Sequence, residues 1–133
     1  MDYGLEGRVA LVTGGSEGIG KATALALSSE GVRVAICARR PDVLDAAAEE
    51  IRKMSLGEVL AVPTDVSSPG QVTNLIRMVN EKWGGVDILI NNAGTASGKA
   101  FENISDEDWV ADLDLKLFGW ARIIRGVLPH MKK

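Results

Sequence analysis

Short apolar runs alternate with amphipathic stretches four times along this chain. Arg8–Thr13 reads as a first strand and Glu17–Glu30 as its helix. Val32–Ala38 is a second strand, followed by a helix over Pro41–Met54 with the proline near its first turn. Val59–Pro63 is a third strand. A helix of about Ser68–Trp83 comes next, with Ser67 or Ser68 as cap and Pro69 just inside, and Gly84-Gly85 ends it. Val86–Asn91 is a fourth strand. A long helix is then expected from about Asp106 to Met131, opened by Ser105-Asp106-Glu107-Asp108, a capping box with Asp in place of Glu.

The strands are rich in Val and Ile and do not alternate with polar residues, which suits strands buried on both faces of a parallel sheet. Strand–helix–strand connections within one sheet are right-handed. The fold class is therefore α/β, a doubly wound parallel sheet of Rossmann type, with about four strands and four helices in a single domain over residues 1–133. The long last helix stands apart. Trp109, Leu113, Leu117, Trp120, Ile124 and Leu128 lie along one side at helical spacing, and Leu115, Phe118, Ile123 and Val127 make other sides apolar too. A helix apolar nearly all round is buried nearly all round. The sheet covers one face, so another surface is expected to cover the rest.

Between the first strand and its helix stands Thr13-Gly14-Gly15-Ser16-Glu17-Gly18-Ile19-Gly20. A strand, a glycine turn and a helix N-terminus in that order suit a phosphate, because unpaired N–H groups and the helix dipole both favour an anion. Gly14 allows the turn, Gly18 lets the backbone approach a pyrophosphate, and Gly20 lets the helix pack closely on the strand. Ser16, Glu17 and Ile19 complete the turn. The spacing, Gly-x-x-x-Gly-x-Gly, is one residue longer than the common dinucleotide fingerprint, and an ordinary tight turn is the alternative.

The end of the second strand carries Arg39 and Arg40 where an acidic residue would bind the ribose of NAD. A guanidinium grips phosphate through a fork of donors, so the 2′-phosphate of NADP suits this pair better, NAD being the alternative cofactor. Both arginines are otherwise solvated loop residues. Glu17 mildly opposes extra anion density, and Arg39 is the stronger influence. Asp65, at the edge of the third strand, either accepts hydrogen bonds from an adenine amine or caps the turn ahead of Pro69. Asn91-Asn92-Ala93-Gly94, after the fourth strand, ties strand ends together and leaves room for a flat ligand, or is a plain turn. His130 suits a helix end, and Cys37, inside a strand, suits core packing.

Composition narrows the partners. Among 133 residues the net charge is −3, which argues against nucleic acid. No apolar run reaches the roughly 18 residues of a membrane span, so no membrane partner is expected. The N-terminus shows no basic region followed by an apolar stretch, and a single cysteine permits no internal disulfide. A cytoplasmic location is expected. Asn103-Ile104-Ser105 matches a glycosylation acceptor but has little weight in that setting. No metal-ligand pattern appears.

Taken together, Thr13-Gly14-x-x-x-Gly18-x-Gly20, the Asp65 turn, Asn91-Asn92-Ala93-Gly94 and the Trp109-bearing helix resemble the short-chain dehydrogenases/reductases from Gly7 to Met131. The resemblance implies that the glycine turn holds a pyrophosphate, that Arg39 selects NADP, that Asp65 and Val66 hold adenine, and that Asn91, Ala93 and Gly94 line the cofactor. It implies interconversion of a small-molecule alcohol and its carbonyl, and a homo-oligomer formed through the last helix. The family's chemistry uses a Ser, and a Tyr followed four residues later by Lys. The only tyrosine here is Tyr3, with Gly7 at that spacing. The chain thus resembles the N-terminal, cofactor-binding half, and alone is expected to be inactive. The family's helical Asn is matched to Asp114, in Asp114-Leu115-Lys116. Ionised Asp accepts but does not donate, so Asp114 is either a water-holding relay residue or a polar helix residue paired with a nearby cation. The alternatives to an oxidoreductase are a non-catalytic NADP-binding module and an oligomerising interaction subunit.

Overall fold

The computed structural model describes residues 1–55, 57–94 and 99–133. It begins with a strand, β1 (Val9–Thr13), and helix α1 (Gly18–Ser29). Next come β2 (Arg33–Ala38), α2 (Pro41–Met54), β3 (Val59–Pro63), α3 (Pro69–Trp83) and β4 (Ile88–Ile90). A 3-10 turn over Phe101–Asn103 leads into α4 (Asp106–Leu113), a π-helical segment (Asp114–Gly119) and α5 (Trp120–Met131). The four strands form one parallel sheet in the order β3-β2-β1-β4. The chain winds outward from β1 to β3, then returns across the sheet to place β4 on the other side of β1. The expected α/β doubly wound architecture is present.

Alternate residues of each strand feed two cores, as the period-two geometry of a strand requires. Val9 and Leu11 of β1 face α3 and α5, with Leu75, Val79, Ile123 and Val127. Ala10 and Val12 face α1 and α2, with Ala24, Leu44, Ala47, Ala48 and Ile51. Residues of both sets have almost no exposed surface, which explains the unbroken apolar runs. Burial of each large aliphatic side chain contributes about 1.5–3 kcal/mol.

The last helical region departs from expectation in one way. It is not one regular helix, because Asp114–Gly119 takes π-helical bonding. Its backbone stays right-handed helical at both junctions, so the change is in winding rather than a break. The apolar pattern left open which side meets the sheet, and Trp120 of the Trp109–Leu128 stripe packs against the core. Ile123 and Val127 are buried there, while Trp109, Leu113, Leu117, Phe118, Ile124 and Leu128 are exposed. The capping box is as expected: Ser105 Oγ accepts from the Asp108 N–H, and Asp108 accepts from the Ser105 N–H. β4 is shorter than the 86–91 reading because its ladder to β1 pairs only Ala10–Val12 with Ile88–Ile90. Among the described residues, no helix is long and apolar enough to cross a membrane.

Candidate functional site

All four strands point their C-terminal ends the same way, and the loops after them enclose a cleft of about 590 Å³. Open parallel sheets bind ligands where the strand order reverses. Here that point lies between β1 and β4, the strands that start the two opposite directions of winding.

The glycine turn forms the floor. Gly14 has φ +66° and Gly18 φ +55°, left-handed values that side chains disfavour. A Cβ at Gly14 would lie 3.1 Å from the Ala93 backbone, so the turn after β1 sits directly on the segment after β4. At Gly18 the equivalent space is open. A Cβ at Gly20 would lie 2.1 Å from Gly14 O and 2.6 Å from Asn92 Nδ2, so α1 packs against the turn itself rather than the strand. Glu17 caps α1 without a side-chain hydrogen bond, leaving the opening turn without a capping side chain.

Thr13 fastens this arrangement. Its Oγ1 accepts the N–H groups of Asn92 and Ala93, each at 2.9 Å, and donates to Ile90 O at 3.4 Å. Asn92 Nδ2 donates to Gly14 O at 3.3 Å. Trp120 Nε1 donates to Ala93 O at 2.9 Å, tying α5 to the same segment. A Cβ at Gly119 would lie 2.7 Å from Val66, so the π-helical segment is held close over the loop after β3.

Gly14, Ser16, Glu17, Arg39, Arg40, Val66, Ala93 and Gly94 line this cleft. Gly20 is buried behind it, and Ile19 is exposed. Arg40 is held by Glu17 at 2.7 Å, with both side chains mostly in solvent. Asp65 faces an adjoining cavity of about 750 Å³ that shares Arg39 and Leu115 with the cleft. Its Oδ1 accepts from Ser67 N and Oγ, at 3.0 and 2.6 Å, so that oxygen closes the turn before α3. Asp114 also lines the adjoining cavity, while Lys116 pairs with Asp112 at 3.1 Å. Asn91 does not line the cleft, and its Oδ1 is buried without a hydrogen-bond partner among the described residues.

Cys37, Ala38, Thr64, Asn92 and Leu115 line the cleft without having been singled out as cofactor contacts. Asn92 stood inside the Asn-Asn-Ala-Gly motif, and the others end strands or follow Asp114, so only tertiary placement reveals them. Burial pushes the Cys37 thiol up to about 12 despite a hydrogen bond from the Gly14 backbone, so it remains a neutral packing group. His130 contacts Asp87 at 3.2 Å, remote from the cleft. Among the described residues, no group of three His, Cys, Asp or Glu side chains is placed to hold a metal.

A family model described as short chain dehydrogenase matches residues 8–133. The 3-oxoacyl-(acyl-carrier-protein) reductase of Synechocystis sp. is 41% identical over 130 residues, 97% of this chain and 52% of that protein. The D-beta-hydroxybutyrate dehydrogenase of Rhizobium meliloti is 33% identical over 127 residues, 95% of this chain and 49% of its own. The crystal structure of L-sorbose reductase from Gluconobacter frateurii, complexed with NADPH and L-sorbose, superposes with a TM-score of 0.94 at 38% identity. That alignment covers 99% of this chain and 50% of the reductase. The chain thus spans about half the length of the curated relatives it matches. With the winding, the glycine turn and the family match in agreement, the chain belongs to the short chain dehydrogenase family.

Proposed function

We propose that this chain supplies the dinucleotide-holding part of an NADP(H)-dependent oxidoreductase that interconverts alcohols and carbonyls. One observation carries the reading: a single cleft gathers the glycine turn, two strand-end arginines and the Asn92–Gly94 segment. The residues fit the cofactor's chemistry. The open space at Gly18 admits a pyrophosphate beside the uncapped start of α1. Arg39 and Arg40 follow the end of β2 on one side, suited to a 2′-phosphate. Apolar Val66 and Leu115 offer surface to a ring. The nicotinamide, when bound, supplies or accepts the hydride. The chain's part is to bind and orient it.

Proton transfer needs a separate group. Tyr3 is 62% exposed, lies before β1 and does not line the cleft. The 133-residue chain is accordingly expected to bind cofactor without reducing a carbonyl substrate. Titration followed by nicotinamide fluorescence should show NADPH binding about tenfold or more tighter than NADH, as charged hydrogen bonds imply. Arg39→Gln should erase most of that preference. Absence of binding at millimolar NADPH would overturn the reading, and keto-reduction by the isolated chain would overturn its inactivity.

A second reading rests on the exposed apolar side of α4 and α5. This surface suits contact with a second copy, and an assembly role is compatible with cofactor binding.

A further inference from the structure

We propose that Lys116 is a binding residue for the nicotinamide half of the dinucleotide, held ready by Asp112. The inference rests on the cofactor reading above. The strand order gives the direction of the ligand. With its pyrophosphate at the turn after β1 and its 2′-phosphate at Arg39 after β2, a dinucleotide extends its other nucleoside towards β4, on the far side of β1. The segment after β4 is Asn91–Gly94, and Gly94 lines the cleft there.

Among the described residues, Lys116 is a cation that reaches this end. An added Cβ at Gly94 would lie 3.2 Å from Lys116 Cε, so the lysine stem crosses over the glycine. Three features bring it there. The π-helical segment alters the winding of the last helical region around residue 116, and such turns recur at functional sites. Gly119 lets the segment approach Val66 closely. Trp120 bonds Ala93 O, fixing the segment to the loop that Lys116 overlies. Asp114, two residues earlier, shows no such approach to Gly94 among the described contacts.

The lysine head is partly solvated and ion-paired with Asp112, which orients it. An ammonium has three donors, of which the ion pair with Asp112, at 3.1 Å, can engage one. The others can serve ribose hydroxyls or a carboxamide oxygen, both of which accept from an ammonium. Asp112 also opposes the loss of Lys116 to bulk solvent. Lys116 lines the adjoining cavity, at its border with the cleft, together with Asp65, Asp108 and Asp114 as further carboxylates and Arg39 as another cation. The useful contribution of Lys116 is therefore a directed hydrogen bond, not a positive field over the whole cavity.

Two ligands separate the halves: NADPH, and 2′,5′-ADP, which lacks the nicotinamide nucleoside. Lys116→Met keeps the stem over Gly94 and removes the donors, while Lys116→Arg restores a cation. Calorimetric titration of the 133-residue chain is expected to show Lys116→Met weakening NADPH about three- to tenfold and leaving 2′,5′-ADP within about twofold. Lys116→Arg should recover most of the loss. Unchanged NADPH affinity in Lys116→Met would overturn this role, and equal weakening of both ligands would reassign Lys116 to general packing. Failure of the unaltered chain to bind 2′,5′-ADP would instead bring down the cofactor reading, and this inference with it.

Discussion

At the scale of single residues, the glycine turn separates two physical demands that look alike in sequence. Gly18 is required by backbone conformation, since its φ of +55° is left-handed while the space around it is open. Gly20 is required by space, because any Cβ there overlaps Gly14 O and the Asn92 amide. Gly18→Ala should cost about 1–2 kcal/mol of stability, the price of a left-handed alanine. Gly20→Ala should cost more, about 3 kcal/mol or above, because the nearest obstacle, Gly14 O at 2.1 Å, is backbone and cannot yield cheaply. Urea unfolding of the two variants checks the order; equal losses would show that the turn relaxes around residue 20. The sequence patterns made both glycines visible, along with Arg39 and the Asn-Asn-Ala-Gly segment. They did not expose Gly15, whose Cβ would lie 2.7 Å from Ile36 Cβ on the next strand. Nor did they reveal Thr13 as the hydroxyl accepting two N–H groups from the loop after β4. Both depend on residues far away in the chain, and local spacing carries no record of them.

At the scale of elements, strand and helix identities followed from hydrophobic period, and most boundaries fell within a residue or two. The π-helical segment did not, because one altered turn barely disturbs an apolar pattern already present on several sides. The inward face of α5 was equally illegible: a helix apolar in many directions does not declare which stripe meets the sheet. Its end is fixed by a polar clamp. Asp87 Oδ2 accepts the Val9 N–H at 2.9 Å, and Oδ1 meets His130 Nε2 at 3.2 Å. The Gly85 backbone lies close enough that any Cβ there would strike the His130 ring. Burial raises the Asp87 carboxyl, but the Val9 N–H, His130 and Arg8 outweigh it and hold the group below its usual range. A carboxyl lowered on folding contributes stability above its unfolded value of about 4, and the contribution fades as pH falls through the lower folded value. Asp87→Asn should therefore destabilise the chain near neutral pH, with its deficit shrinking below about pH 4. Urea unfolding across that range tests it; a deficit constant with pH would assign the effect to packing alone.

For the whole molecule, two layers of helices cover the sheet, yet α4 and α5 leave a broad apolar side in solvent. Leu117 and Phe118 are 54% and 48% exposed, with Leu113, Ile124 and Leu128 beside them in sequence at helical spacing. Contiguous apolar surface of this kind marks association. Sedimentation velocity should show a dimer or larger species, and Leu113→Lys with Leu117→Lys should shift it towards monomer. A clean monomer for the unaltered chain at about 100 μM would count against that assignment, since stable interfaces have submicromolar affinities.

The fastening of Thr13 to Asn92 and Ala93 joins positions 79 and 80 residues apart. A dinucleotide lying across Gly14 and Gly94 would span the same junction and act as a removable staple on one of the longest closures in the sheet. At a concentration one hundred times its dissociation constant it adds about 2.7 kcal/mol to stability through mass action. The nucleotide supply would then help set how long the polypeptide stays folded, independently of any turnover.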